Sequence, residues 1–143
     1  MTSLEPVPSV VDGTTFRRDT PAGTVRVTIN ARDGRPFEVF VLLSRAGSET
    51  QSFCEALGRM LSAFLRVESP VPPADRLALA AEQLTGIGGA NQMGFGPQRV
   101  LSVVDAIGQI LRAYPAALQE NPERPPADEA EPPTASGLVL PSL

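Results

Sequence analysis

Five glycines stand within residues 86–96, in the stretch GIGGANQMGFG, directly ahead of a helical pattern. They are Gly86, Gly88, Gly89, Gly94 and Gly96. Glycine loops before helices can hold phosphate, because their backbone N–H groups converge and the helix N-terminus favours negative charge. Two specific forms of that chemistry fail here. A dinucleotide fingerprint needs G-x-G-x-x-G between a strand and a helix. This loop follows a helical pattern, and Asn91 occupies the third glycine position. A phosphate-binding loop needs G-x-x-x-x-G-K and then Ser or Thr. Gly89 and Gly94 have that spacing, but Phe95 and Gly96 follow, and the chain has no lysine. Two readings remain: an anion nest with Arg99 adding charge, or a connector whose glycines permit positive φ and close packing. The connector is the simpler one.

Other chemistry is sparse. The chain has no histidine, which removes the usual neutral-pH acid–base and the commonest metal ligand. Neither a Ser-His-Asp triad nor a Cys-His pair can be built. One cysteine, Cys54, excludes an internal disulfide and a thiolate zinc cluster within one chain. On a helical pattern it reads as a small buried apolar residue. Glu38 and Glu55 are the carboxylates that would pair as acid and base in an enzyme. Their patterns fit a solvated strand face and a solvated helix face better. No catalytic residue, no metal ligand and no cofactor-binding residue is assigned to this chain.

The elements that would position these residues follow from periodicity. Residues 13–20 (GTTFRRDT) read as a short strand bounded by Pro21. Residues 23–31 alternate, with Val25, Val27 and Ile29 on one face, which marks a half-buried strand. Asp33-Gly34 suits a tight hairpin turn. Residues 36–44 return with Phe37, Val39 and Val41 on one face and Phe40 and Leu42 on the other. Apolar residues on both faces predict a central, doubly covered strand. Ser48 and Gln51 form a capping-box pattern opening a helix to Arg66, with Phe53, Leu57, Met60, Leu61 and Phe64 as its apolar stripe. A second helix over residues 74–84 turns Leu77, Ala80, Ala81 and Leu84 inward, with Gly86 as its C-terminal cap. Ser102 and Asp105 open a third, which buries Ile107, Ile110 and Leu111 and ends near Pro115. Strands first and helices after give an α+β fold: about three antiparallel strands with three helices on one face.

The 143 residues allow one domain and one modest core. Residues 1–12 read as a loose lead-in, 13–115 as the domain and 116–143 as a tail. Residues 119–134 (QENPERPPADEAEPPT) hold almost no apolar side chain, a composition that predicts disorder. The net charge of −4 comes from this tail, whose acids outnumber Arg124, while the body is neutral. Such a balance does not point to nucleic acid. The tail ends in apolar Leu138, Val139, Leu140 and Leu143, a candidate docking tag. The opening residues lack a signal pattern and no segment is a membrane span, so the expected location is the cytoplasm.

The motifs G-T-x-x-V-T-I-N, D-G-x-P-F-E-V-F, A-G-S and E-A-L-G-R, and then LTGIGGANQMGFGPQRVLSVVDAIGQIL, resemble the TSCPD domain. That domain lies in the C-terminal region of adenosylcobalamin-dependent (class II) ribonucleotide reductases. The likeness covers residues 13–111. Metal-type members of the family carry cysteines near the G-I segment and in the T-S-C-P-D motif; here those positions are Gly89 and Val103, and Val104 replaces the proline. Asp105, Ala106 and Ile107 are kept. The resemblance implies a free-standing module working with the catalytic chain of a reductase, since thiyl and dithiol chemistry needs more cysteines and a large barrel. Adenosylcobalamin would then be bound only through that partner. The alternative is a redeployed protein- or nucleotide-binding regulatory module, and a bound nucleotide stays open. The expected binding surface is Gly86, Gly88, Gly89, Asn91, Gly94, Phe95, Gly96, Arg99 and Asp105.

Overall fold

The alternation of residues 23–31 becomes the centre of the sheet. In the computed structural model, which describes residues 3–44, 49–89 and 92–119, three strands are consecutive: β1 (Asp12–Thr20), β2 (Gly23–Arg32) and β3 (Arg35–Leu43). The order β1-β2-β3 is antiparallel throughout. Asp33 (φ 52°) and Gly34 (φ 76°) both take positive φ at the β2–β3 turn. Two such residues match the right-handed twist of the flanking strands, as the Asp-Gly pair predicts.

Val25, Val27, Ile29, Val39, Val41 and Leu43 form one buried face of the sheet. Three helices contact the sheet: α1 (Glu49–Arg66) against β3, α2 (Pro73–Leu84) against β3, and α3 (Val103–Gln119) against β2 and β1. Buried aliphatic side chains of this kind contribute about 1.5–3 kcal/mol each relative to exposure. Phe16 and Tyr114 meet edge to face, with ring centroids 6.1 Å apart, tying β1 to α3. The α+β layout, with strands before helices, is as expected.

Three expectations need correction. β2 is the central strand and β3 an edge; the helices pack on the Val39, Val41 and Leu43 face, so Phe40 (54% exposed) and Leu42 lie open on the other. The apolar stripe of α1 is also displaced. Phe53 and Met60 are each 70% exposed, whereas Cys54, Gly58, Leu61, Ser62 and Leu65 face inward. Small residues face inward because α1 runs close along β3. A Cβ on Gly58 would lie 3.0 Å from the Val39 carbonyl oxygen. The Val39 N–H donates to Ser62 Oγ (2.9 Å) and the Leu43 N–H to Gln51 Oε1 (2.6 Å), which satisfies part of the β3 edge. Ser48, the expected helix cap, lies outside the described residues.

The third correction concerns Pro115, which lies inside α3 and does not end it. Proline removes the N–H that would serve the Leu111 carbonyl and crowds that carbonyl with its ring. The preceding turns are held by buried Ile110, Leu111 and Tyr114, and the helix continues to Gln119. At the other end, the lead-in is pinned where Leu4 bridges Val67 and the Glu5 N–H donates to the Arg66 carbonyl (3.0 Å). The acidic tail from Glu120 lies outside the described residues.

Candidate functional site

The glycine segment connects α2 to α3, and one carboxylate organises it. Asp105 sits in the first turn of α3 and is 2% exposed. Its Oδ1 accepts the Gly86 N–H (2.8 Å), and its Oδ2 accepts the Leu101 N–H (2.9 Å) and Gln109 Nε2 (2.8 Å). Ser102 completes the cap: its Oγ accepts the Asp105 N–H (3.0 Å) and donates to the Ile87 carbonyl (2.6 Å). The expected Ser102–Asp105 helix start is therefore present, and its carboxylate also holds the loop. Gln109 donates to the Arg99 carbonyl as well, while Arg18 Nη1 donates to Gln109 Oε1. A relay of hydrogen bonds thus joins the Arg18 cation on β1 to the Asp105 anion.

The loop returns on itself. Gly89 N–H donates to the Leu101 carbonyl (3.0 Å), and Met93 and Val100 exchange backbone hydrogen bonds of 2.9 and 2.7 Å. A turn of 3₁₀ helix, Gly96–Gln98, closes the far end, with Gly94 (φ 82°) and Gly96 (φ 62°) on either side of Phe95. A Cβ at Gly94 would lie 3.0 Å from the Gln98 carbonyl oxygen, so a side chain there would be strained twice over. Phe95 is 94% exposed at the tip. Arg99 is exposed and donates to Gln92 Oε1.

The amides of Gly86, Ile87 and Gly89 donate to Asp105, Leu84 and Leu101. Those three therefore face internal acceptors, which suits a connector. Asn91 lies outside the described residues. Beside the loop is an open cleft of about 510 Å³, lined by Pro21, Ala22, Thr50, Gly88, Val103 and Val104, among others. It adjoins the first turns of both α1 and α3.

With the sheet, the three helices and the Asp105-braced loop in place, the sequence profile of the TSCPD domain matches residues 4–115. The chain belongs to the TSCPD domain family. Comparison with curated proteins and with solved structures gives no match.

Within this TSCPD domain, Gly89 and Val103, the positions that the resemblance marks for cysteine in metal-type members, line the same cleft. A Cβ on Gly89 would lie 3.2 Å from Ser102 Cβ, next to Val103. Neither residue supplies a ligand atom, and Val103 is buried among apolar neighbours. Among the described residues, no three of Asp, Glu and Cys cluster as a metal site. The donor set does not fit zinc.

Glu38 and Glu55 border one groove, but each has a partner. Glu38 accepts Asn30 Nδ2 (2.7 Å), and Glu55 pairs with Arg59 (2.8 Å). Cys54 is buried, and desolvation pushes its thiol pKa up, away from reactive thiolate. Sequence reasoning missed Gln109 and Arg18 as members of the Asp105 network. The signal was available: Gln109 is four residues beyond Asp105 on one helix face, and Arg18 alternates with inward Thr14 and Phe16. The apolar tag, Leu138, Val139, Leu140 and Leu143, lies outside the described residues. No helix among those described is long and apolar enough to cross a membrane.

Proposed function

We propose that this TSCPD domain is an accessory partner of a vitamin B12-dependent ribonucleotide reductase, and that it docks on the catalytic chain without performing chemistry itself. TSCPD domains are known from ribonucleotide reductases, and the profile match spans both the sheet and the Asp105-braced loop. That match is the observation that carries the reading. The side-chain inventory supports it. Ribonucleotide reduction by a thiyl radical with dithiol re-reduction requires several cysteines, and this chain offers one, buried and with a raised pKa. Adenosylcobalamin would be bound by the catalytic chain.

The proposed contact surface is the returning glycine loop, with Gly86, Gly88, Gly89, Gly94 and Gly96 shaping it, Asp105 bracing it, and Phe95 and Arg99 outward. A large apolar side chain held outward on a braced loop contributes binding area at little ordering cost. The apolar tag at residues 138–143 is a second proposed contact. The test is reconstitution. The protein alone, with adenosylcobalamin and thioredoxin, should form no deoxyribonucleotide. Added to the catalytic chain of a class II reductase lacking this domain, it should bind and raise turnover. Phe95→Ala should weaken that binding by about tenfold, which corresponds to 1.4 kcal/mol. Absence of binding to such a chain would favour the alternative, a regulatory module serving another partner.

A further inference from the structure

Four arginines line two adjoining cavities at the end of the molecule opposite the β1–β2 turn, apart from the glycine loop. Two cavities of about 540 and 260 Å³ share Glu5, Pro6, Arg35, Arg66 and Pro73 as lining residues. Arg76 lines the first and Arg32 the second, so the two are lobes of one cleft. Its walls come from the pinned lead-in, the β2–β3 turn and the α1–α2 connection.

Three separate features leave positive charge here without an ion-pair partner among the described residues. Arg32 and Arg35 stand directly opposite each other across the hairpin, where like charges are unfavourable. Arg66 has its Nε buried with no hydrogen-bond partner. A buried donor without an acceptor is rare in native proteins. Arg76 is 6% exposed, and its guanidinium donates to the carbonyls of Phe64 (2.6 Å), Val67 (2.9 Å) and Val71 (2.9 Å), with no ion pair to a carboxylate among the described residues. Burying an unpaired cation is expensive unless its field is compensated. The carbonyl ends of α1 do part of this, through the helix dipole. Glu5, Asp33 and Glu68 also border the cleft, yet the ion pair found among the described residues is Arg59–Glu55, elsewhere on α1.

We propose that this cleft binds the phosphoryl group of a small metabolite, held by Arg35 and Arg66 with Arg32 and Arg76 supplying field. Planar guanidinium groups match phosphate oxygens in pairs. The three carboxylates disfavour an extended polyanion, so the anionic end must be compact. Leu4, Val67, Val71 and the prolines offer an apolar wall for the remainder of the ligand.

The test uses the full chain and sodium pyrophosphate as probe, titrated by NMR at constant ionic strength against sodium chloride, with succinate as a second dianion. Pyrophosphate should give saturable shifts at the Arg35, Arg66 and Val67 amides and bind more tightly than succinate. Arg35 is exposed, so Arg35→Gln should fold normally and weaken binding about tenfold, as expected for losing one charge-assisted contact. Arg112→Gln, on α3, should leave binding unchanged. Shifts that chloride reproduces, succinate binding as tightly as pyrophosphate, or equal weakening by Arg112→Gln would each overturn the assignment.

Discussion

The Gly86 N–H donates to Asp105 Oδ1 at 2.8 Å, fixing the residue after α2 to the first turn of α3 across nineteen positions of sequence. The same carboxylate accepts Leu101 N–H and Gln109 Nε2. Asp105→Asn replaces one accepting oxygen by a donor that faces other donors. It should destabilise the protein by about 2–3 kcal/mol, as buried hydrogen bonds to a charged group do. Urea denaturation checks this, and a change below about 0.5 kcal/mol would mean the network is dispensable.

Ser62 is the second polar residue on which packing depends. Ser62→Ala leaves the buried Val39 N–H without its acceptor and should cost about 1–3 kcal/mol. Hydrogen exchange offers a sharper readout. The Val39 amide should lose protection well beyond the global change, because its partner on the helix is gone.

Two glycines should respond to alanine unequally. A Cβ on Gly108 would lie 2.7 Å from the Thr85 backbone nitrogen and 2.9 Å from the Leu84 carbonyl carbon. Gly108→Ala should therefore destabilise by about 1–3 kcal/mol through overpacking, despite alanine's better helix propensity. Gly88 has nothing within 4 Å, and Gly88→Ala should change stability by less than about 0.5 kcal/mol. Equal effects in thermal melts would show that α2 and α3 are not in contact at Thr85.

The single thiol should be silent until the fold opens. Burial raises the Cys54 pKa above its ordinary 9.0, so the folded protein holds the proton more tightly than the unfolded chain. That stabilisation is complete below the unfolded pKa and is lost as pH rises through the folded one. A thiol reagent at pH 8 should label the native protein slowly and the urea-unfolded protein at once. Rapid native labelling would place Cys54 at the surface.

The parts legible in the sequence were those that a short-range pattern dictates. Alternation at Val25, Val27 and Ile29 located β2, Asp33-Gly34 located its turn, and Ser102 with Asp105 located the start of α3. Two misreadings share a cause. Phe40 with Leu42, and Phe53 with Met60, were assumed buried because they are apolar, but burial depends on which neighbour arrives. Gly58 and Ser62 let α1 sit close on β3, which turned the larger side chains outward. Arg76 was equally hidden. Nothing local marks an arginine whose partners are carbonyls of the preceding helix and connection. At the glycine loop, the failed phosphate motifs were readable, whereas the role of Asp105 as its brace required the third dimension.

The sheet has two unlike borders. Along β3, Ser62 and Gln51 of α1 occupy outward backbone groups, whereas no strand among those described lies on the outer side of β1. Recruitment of a further strand is therefore one-sided. Two chains meeting through β1 would join into a six-stranded sheet whose ends are both β3, each shielded by its own helix. Addition at those β3 ends would have to displace the Ser62 and Gln51 contacts, which opposes the edge-to-edge growth that builds fibrils.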